Sequence, residues 1–347
     1  MAYVRKWGED HINKDLKQID SETWLVGGLV IIHRSPYPSD VATRNSSAVA
    51  TWNDDSDNSS YTLTEAPTPL PSATTPPDSP YIKLIYEAGD ARAIWSIGNS
   101  VVCKAAYIVK GTTPESVTLN FVRDQKPSTF DTPKVLHHAF ASDRSFLFHQ
   151  KLPGRMLEVA WPSLNEYWRR RYVEAVVDAC TEMAEWKGQA FGGVDGQNLT
   201  ESYLSVEGNP AAEEYSSAKL LASCELLGID CSDLVFGQAF LSPETIIVED
   251  EPRTGKIGLI DFEVAGYFPR TWIRTKCRVS AAMRLPPEAA GDRSWFARKV
   301  SEVLGKKGFD ESWFAREVSE GLGKKGFDEV TEAYWKWLGS LPWYQKT

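Results

Sequence analysis

Residues 235–268 read VFGQAFLSPETIIVEDEPRTGKIGLIDFEVAGYF. Thr245–Glu249 (TIIVE) is a run rich in β-branched residues, and Ile257–Phe262 (IGLIDF) is a second apolar run. Between them Asp250–Lys256 has the composition of a polar turn, so the spacing predicts a strand pair. Asp261 falls where the second strand runs out, a few residues before Gly266. A carboxylate presented there by apolar neighbours suits a hard cation. A capping or turn aspartate would leave the same signature.

The wording of this stretch resembles the aminoglycoside phosphotransferase and choline kinase-like superfamily, within its large fungal branch of small-molecule kinase-like proteins. That family carries a catalytic loop of the form H-x-D-L-x-P-x-N-I-I-V, followed by I-D-W-E-x-A-G. The second motif stands here as Ile260-Asp261-Phe262-Glu263-Val264-Ala265-Gly266. The first survives in outline only. Anchoring it on Leu241-Ser242-Pro243 and Ile246-Ile247-Val248 puts Gln238 at the histidine, Phe240 at the catalytic aspartate and Thr245 at the asparagine. The resemblance covers roughly residues 81–285. It implies an α+β, two-lobe protein-kinase-like fold, with a small, mostly antiparallel β N-lobe and a larger, mainly helical C-lobe.

Working back toward the N-terminus, Tyr81–Tyr86, Ala93–Ile97 and Val101–Val109 read as three antiparallel strands, with Val135–Phe140 and Ser145–Gln150 closing the sheet. Pro114–Phe121 starts with a proline and reads as a helix. Lys104 stands among apolar residues of the third strand, and Glu115 opens the helix. In kinase-like folds a strand lysine holds the α/β-phosphates and pairs with a helix glutamate. The resemblance places Lys104, Glu115 and Asp261 in the nucleotide-contacting roles; a snorkelling lysine is the plain alternative for Lys104. The loop Ala88–Arg92 holds one glycine and lends no support to a phosphate cradle. No resident metal is assigned, and the cofactor stays unknown.

Residues 1–33 hold a charged amphipathic piece and then WLVGGLVII, an N-terminal extension that packs as an extra strand or helix. Residues 34–80 are dominated by Ser, Thr, Pro, Asn and Asp, which reads as a flexible insertion. The lobes are assigned to residues 81–152 and 153–291. In the second, residues 165–188 and 215–227 carry helical apolar spacing. Pro269-Arg270-Thr271-Trp272-Ile273-Arg274-Thr275-Lys276 continues the resemblance as a helix start, with Arg274 and Lys276 read as anion contacts or as structural ion pairs. Residues 292–347 contain a tandem repeat. SWFARKVSEVLGKKGFDE (294–311) is followed by SWFAREVSEGLGKKGFDE (312–329), with two differences. The period of 18 residues is five helical turns. Each copy reads as an amphipathic helix ending at Gly305 or Gly323, and self-association through these C-terminal helices is an expectation.

The 347-residue chain has a formal net charge of −9 and no basic block, which argues against nucleic acid as a partner. Its 5 cysteines are scattered, as free thiols in a reducing compartment are. The first residues, MAYVRKWGEDHINKD, are charged, and the apolar run Trp24–Ile32 is too short to span a bilayer. The expectation is a cytoplasmic protein that binds a small organic molecule and does not engage membranes.

Phosphoryl transfer needs phosphate positioning, metal ligands and a group that orients or deprotonates the acceptor. Phe240 cannot take a proton, and a positioned base is worth about 10²–10⁴ in rate. Thr245 is a poorer metal ligand than asparagine. The sequence therefore reads as a kinase-like frame that has lost ordinary phosphotransfer. Its pocket, with Phe240 and Thr245 in the wall and Gln238, Asp261 and Glu263 as polar catalytic candidates, is turned to cyclisation, isomerisation or elimination in secondary metabolism. An atypical Mg-ATP phosphotransferase and a non-catalytic pseudokinase are the alternatives.

Overall fold

Alternating apolar residues build the first sheet. The computed structural model describes residues 11–37, 47–75, 77–204, 215–289, 291–310 and 312. β1 (Leu16–Asp20), β2 (Thr23–Val26), β3 (Val30–Pro36), β4 (Ala48–Asp54) and β5 (Ser59–Glu65) form an antiparallel sheet in the order β1-β2-β3-β5-β4. β6 (Ile82–Ala88), β7 (Arg92–Ile97) and β8 (Val101–Tyr107) follow. The helix α1 (Glu115–Gln125) and a two-residue strand β9 (Phe130–Asp131) come next. Then β10 (Val135–Phe140) and β11 (Arg144–Gln150) complete a second antiparallel sheet, ordered β10-β11-β8-β7-β6. The chain divides into two units, Met1–Ile108 with Pro133–Lys151, and Val109–Thr132 with Leu152–Thr347.

In the first unit both sheets share one core. Trp24, Ile32, Trp52, Tyr61 and Leu63 of the first sheet lie in it with Trp95, Ile97, Cys103, Phe146 and Phe148 of the second. The N-terminal extension thus supplies strands rather than a helix. The flexible insertion expected over 34–80 is overturned for β4 and β5, which pair residue by residue. Low overall hydrophobicity hid a few large buried residues at period two. Trp52 and Tyr61 stack at 5.4 Å between centroids, and Tyr61 and Leu63 are fully buried. Asp54 ends β4 and accepts from the backbone N–H groups of Ser56 and Asn99. It therefore holds the β7–β8 turn, where Gly98 has φ +58° and a Cβ would strike the Asp54 carboxylate.

The second unit contains β12 (Arg155–Met156), α2 (Leu157–Ala160), α3 (Glu166–Met183), α4 (Ser217–Leu226), β13 (Leu234–Gln238), β14 (Ile246–Val248), β15 (Ile257–Leu259), β16 (Ala265–Pro269), α5 (Arg270–Val279) and α6 (Trp295–Lys306). The predicted strand pair is β14–β15, inside a small sheet ordered β12-β14-β15-β9, while β13 pairs with β16. α1 belongs to this unit because its Phe121 packs on Trp186, Phe236 and Tyr267. α3 starts at Asn165, whose side chain accepts from the backbone N–H of Trp168. Glu182 near its end accepts from the backbone N–H groups of Ser128 and Thr129, fixing the chain beyond α1.

Lys276 and Arg274 are structural. Lys276 is buried and donates to both oxygens of Glu201, at 2.5 and 2.7 Å, and Glu201 is 1% exposed. Arg274 donates to the Phe309 carbonyl, linking α5 to the segment after α6. The first repeat copy forms α6 and buries Phe296, Ala297, Val300 and Leu304. It runs to Lys306 rather than ending at Gly305, which packs against the Arg274 guanidinium. The second copy, from residue 313, lies outside the described residues, and so does the expected self-association surface there. Among the described residues no helix is long and apolar enough to cross a membrane.

Candidate functional site

The site grows from the end of β15. After Leu259 the chain turns sharply, and Asp261 adopts the left-handed conformation at φ 63°, ψ 65°. Aspartate tolerates that region better than most residues. A single 3₁₀ turn, Phe262–Val264, follows and seats Phe262 in the interior. The first turn of α1 reaches this loop, where the Phe262 backbone N–H donates to Glu115 Oε1 at 3.0 Å. Glu115, Asp261 and Glu263 thereby converge. One carboxylate oxygen from each lies within 4.8 Å of the others, and all three residues are half-buried. Such an oxygen-rich set is what a hard divalent cation takes. The sequence singled out all three, Glu115 with Asp261 as nucleotide contacts and Glu263 as a polar catalytic candidate.

Gln238 lies against the turn that carries Asp261. It ends β13 and is 6% exposed. Its Nε2 donates to the carbonyls of Ile260 at 2.5 Å and Asp261 at 2.9 Å. The amide nitrogen thus braces the turn that presents Asp261. Gln238 Oε1 is buried with no hydrogen-bond partner among the described residues. It borders a cavity of about 20 Å³ shared with Cys180, Met183, Leu241, Trp272 and Cys277. That volume suits about one water and excludes an organic molecule.

Thr245 is also committed. It is 4% exposed, and its Oγ1 accepts from the Ser242 backbone N–H at 2.9 Å and lies 3.2 Å from the Phe240 carbonyl. The hydroxyl closes the 240–245 turn. Phe240 is 38% exposed and does not line the buried cavity. Lys104 sits in β8 of the first unit, 8% exposed, in register with Ile94 and Leu147. His138, in register with Leu147, has its imidazole pushed down to about 4 by burial, then by the charges of His137 and Lys104. The structure therefore gathers Glu115, Asp261, Glu263 and Gln238 in one unit, whereas Lys104 belongs to the other.

The fold is α+β, with antiparallel sheets dominating the first unit and helices the second, as the sequence suggested. Solved structures that it resembles include aminoglycoside phosphotransferases. The streptomycin–ATP complex of APH(2")-IIa is 15% identical over 77% of this chain and 90% of that one, with a TM-score of 0.42. An aminoglycoside-3'-phosphotransferase of type VIII is 16% identical over 75% and 93%, with a TM-score of 0.45. APH(3'')-Id from Streptomyces rimosus, bound to ADP and streptomycin, is 17% identical over 69% and 90%, with a TM-score of 0.46. At these scores the likeness decides nothing about activity. No family model matches the chain, and no curated protein matches it.

Proposed function

We propose that this protein is a kinase-like, small-molecule-binding protein that has left ordinary phosphotransfer. The observation that carries the reading is the state of the 238–245 loop. Where phosphoryl transfer requires a base and a second metal ligand, the chain has the Phe240 side chain and a Thr245 hydroxyl consumed by its own turn. Gln238, at the remaining polar position, is spent on two backbone carbonyls. The groups proposed for chemistry are the carboxylate set of Glu115, Asp261 and Glu263, together with the exposed Phe240 ring. Carboxylates can move protons and stabilise developing positive charge, which suits cyclisation, isomerisation or elimination of an apolar organic substrate. Substrate positioning then supplies much of the rate.

A thermal-shift screen of neutral, apolar organic molecules tests this. A ligand present at 100 times its dissociation constant stabilises by about 2.7 kcal/mol. The expected outcome is a rise in Tm that Phe240→Ala reduces. A screen in which only nucleotides raise Tm would overturn the reading.

The carboxylate set itself favours a second reading, an atypical Mg-dependent phosphotransferase. Glu115, Asp261 and Glu263 present enough oxygens for a divalent cation, and such ions are usually bound through carboxylates together with substrate phosphates. That reading requires turnover of ATP, whereas a pseudokinase requires binding alone.

A further inference from the structure

β6 is an edge strand with its outer side open. It pairs with β7 on one side and has no strand on the other among the described residues. Its sequence is Ile82-Lys83-Leu84-Ile85-Tyr86-Glu87-Ala88. After Ile82, five consecutive residues are exposed, and three of them are large and apolar: Leu84 at 45%, Ile85 at 55% and Tyr86 at 53%. A contiguous apolar edge of this kind is a template for another strand.

The strand is also complementary to itself. In an antiparallel pair related by a two-fold axis through Ile85, the residues on either side of that position face each other in reverse order. Lys83 then meets the partner subunit's Glu87, Leu84 meets the partner subunit's Tyr86, and Ile85 meets the partner subunit's Ile85. Both charges find opposite charges, and all three exposed apolar residues find apolar partners. Any register shifted along the strand breaks the charge match. Glu87 already accepts from Asn13 Nδ2 at 3.0 Å, and its second oxygen remains for the lysine. The register irregularity between Leu84 and Tyr86 falls at Ile85, the residue on the two-fold axis, so each copy brings the same bulge to the centre of the pair. Because the edge pairs with itself, the contact closes as a dimer instead of growing into a filament.

We infer that β6 is a homodimer interface, in which two copies of the chain join their second sheets edge to edge through Lys83–Glu87. The occupant is a second copy rather than an unrelated peptide, because the charge pattern matches its own reverse.

The test uses charge reversal in the full chain, read by sedimentation velocity over a concentration series. Wild type is expected to show a concentration-dependent dimer. Lys83→Glu sets two carboxylates opposite each other at two places, and Glu87→Lys does the same with two ammonium groups. Each single variant is expected to weaken dimerisation by about tenfold or more, from cross-strand pair energies taken twice per dimer. The double variant Lys83→Glu/Glu87→Lys restores it. Mixing the two single variants gives a heterodimer, since the edge with two carboxylates then faces the edge with two ammonium groups. This rescue separates a lost interface from a lost fold. A wild type that stays monomeric up to about 100 μM would overturn the inference. So would single variants that dimerise as wild type does.

Discussion

Gln238→Leu removes the brace beneath Asp261 while nearly keeping side-chain volume. Two hydrogen bonds disappear, to the carbonyls of Ile260 and Asp261. Each acceptor left unsatisfied in a poorly solvated place costs about 1–3 kcal/mol. The leucine recovers part of this against Trp272 and Met183 in the adjoining cavity, at about 1 kcal/mol. The expected net loss is about 3 kcal/mol, taking the middle of that range for the two acceptors. Urea denaturation followed by the fluorescence of the chain's 13 tryptophans measures it. Gln238→Glu sharpens the experiment. A carboxylate cannot donate to either carbonyl, whereas a carboxyl can donate to one. Its folded-state pKa is therefore raised, and its stability relative to wild type is greatest at low pH and falls as pH rises through that value. If both variants unfold within about 0.5 kcal/mol of wild type, the range of ordinary surface substitutions, then the turn holds itself and the brace has been misread.

Three further outcomes follow from the packing. Lys276→Met strands Glu201 as an uncompensated buried charge and should cost about 3–5 kcal/mol, while Lys276→Met/Glu201→Gln recovers most of it; chemical denaturation of both variants gives the difference. Burial works against the charged form of Glu182, yet bonds from Thr129 and Ser128 outweigh it and hold the carboxyl below its usual range. Its stabilisation is present above the unfolded-state value and is lost as pH falls through the depressed folded one, so Glu182→Gln should flatten that acid limb of the stability–pH curve. Trp52→Ala should cost about 3–5 kcal/mol by thermal or urea unfolding if β4 and β5 belong to the core, and almost nothing if they are an insertion.

Much of the strand pattern was legible because it rests on local apolar runs. The β14–β15 pair, the three strands leading to Lys104 and the α1 start at Pro114 all follow from period-two patterning and a proline signal. The β4–β5 hairpin was not, because its core contribution comes from Trp52, Tyr61 and Leu63 set among serines and aspartates, and composition averages them away. The candidate site divides in the same manner. Asp261 and Glu263 announced themselves by motif, and Glu115 by its helix start. The role of Gln238 could not be read, because it depends on two carbonyls more than 20 residues away that only the β13–β16 pairing brings near. Thr245 looked like a degraded ligand, and only the turn geometry reveals that Ser242 and Phe240 occupy its hydroxyl.

Calorimetric titration with Mg-ATP, performed on the wild type, Asp261→Ala and Lys104→Ala, followed by a search of the same samples for ADP, tests the loss of phosphotransfer. No phosphoryl transfer and no heat of binding at millimolar nucleotide are expected. Binding that both substitutions abolish, accompanied by ADP formation in the wild type, would contradict it and restore the protein to phosphotransfer.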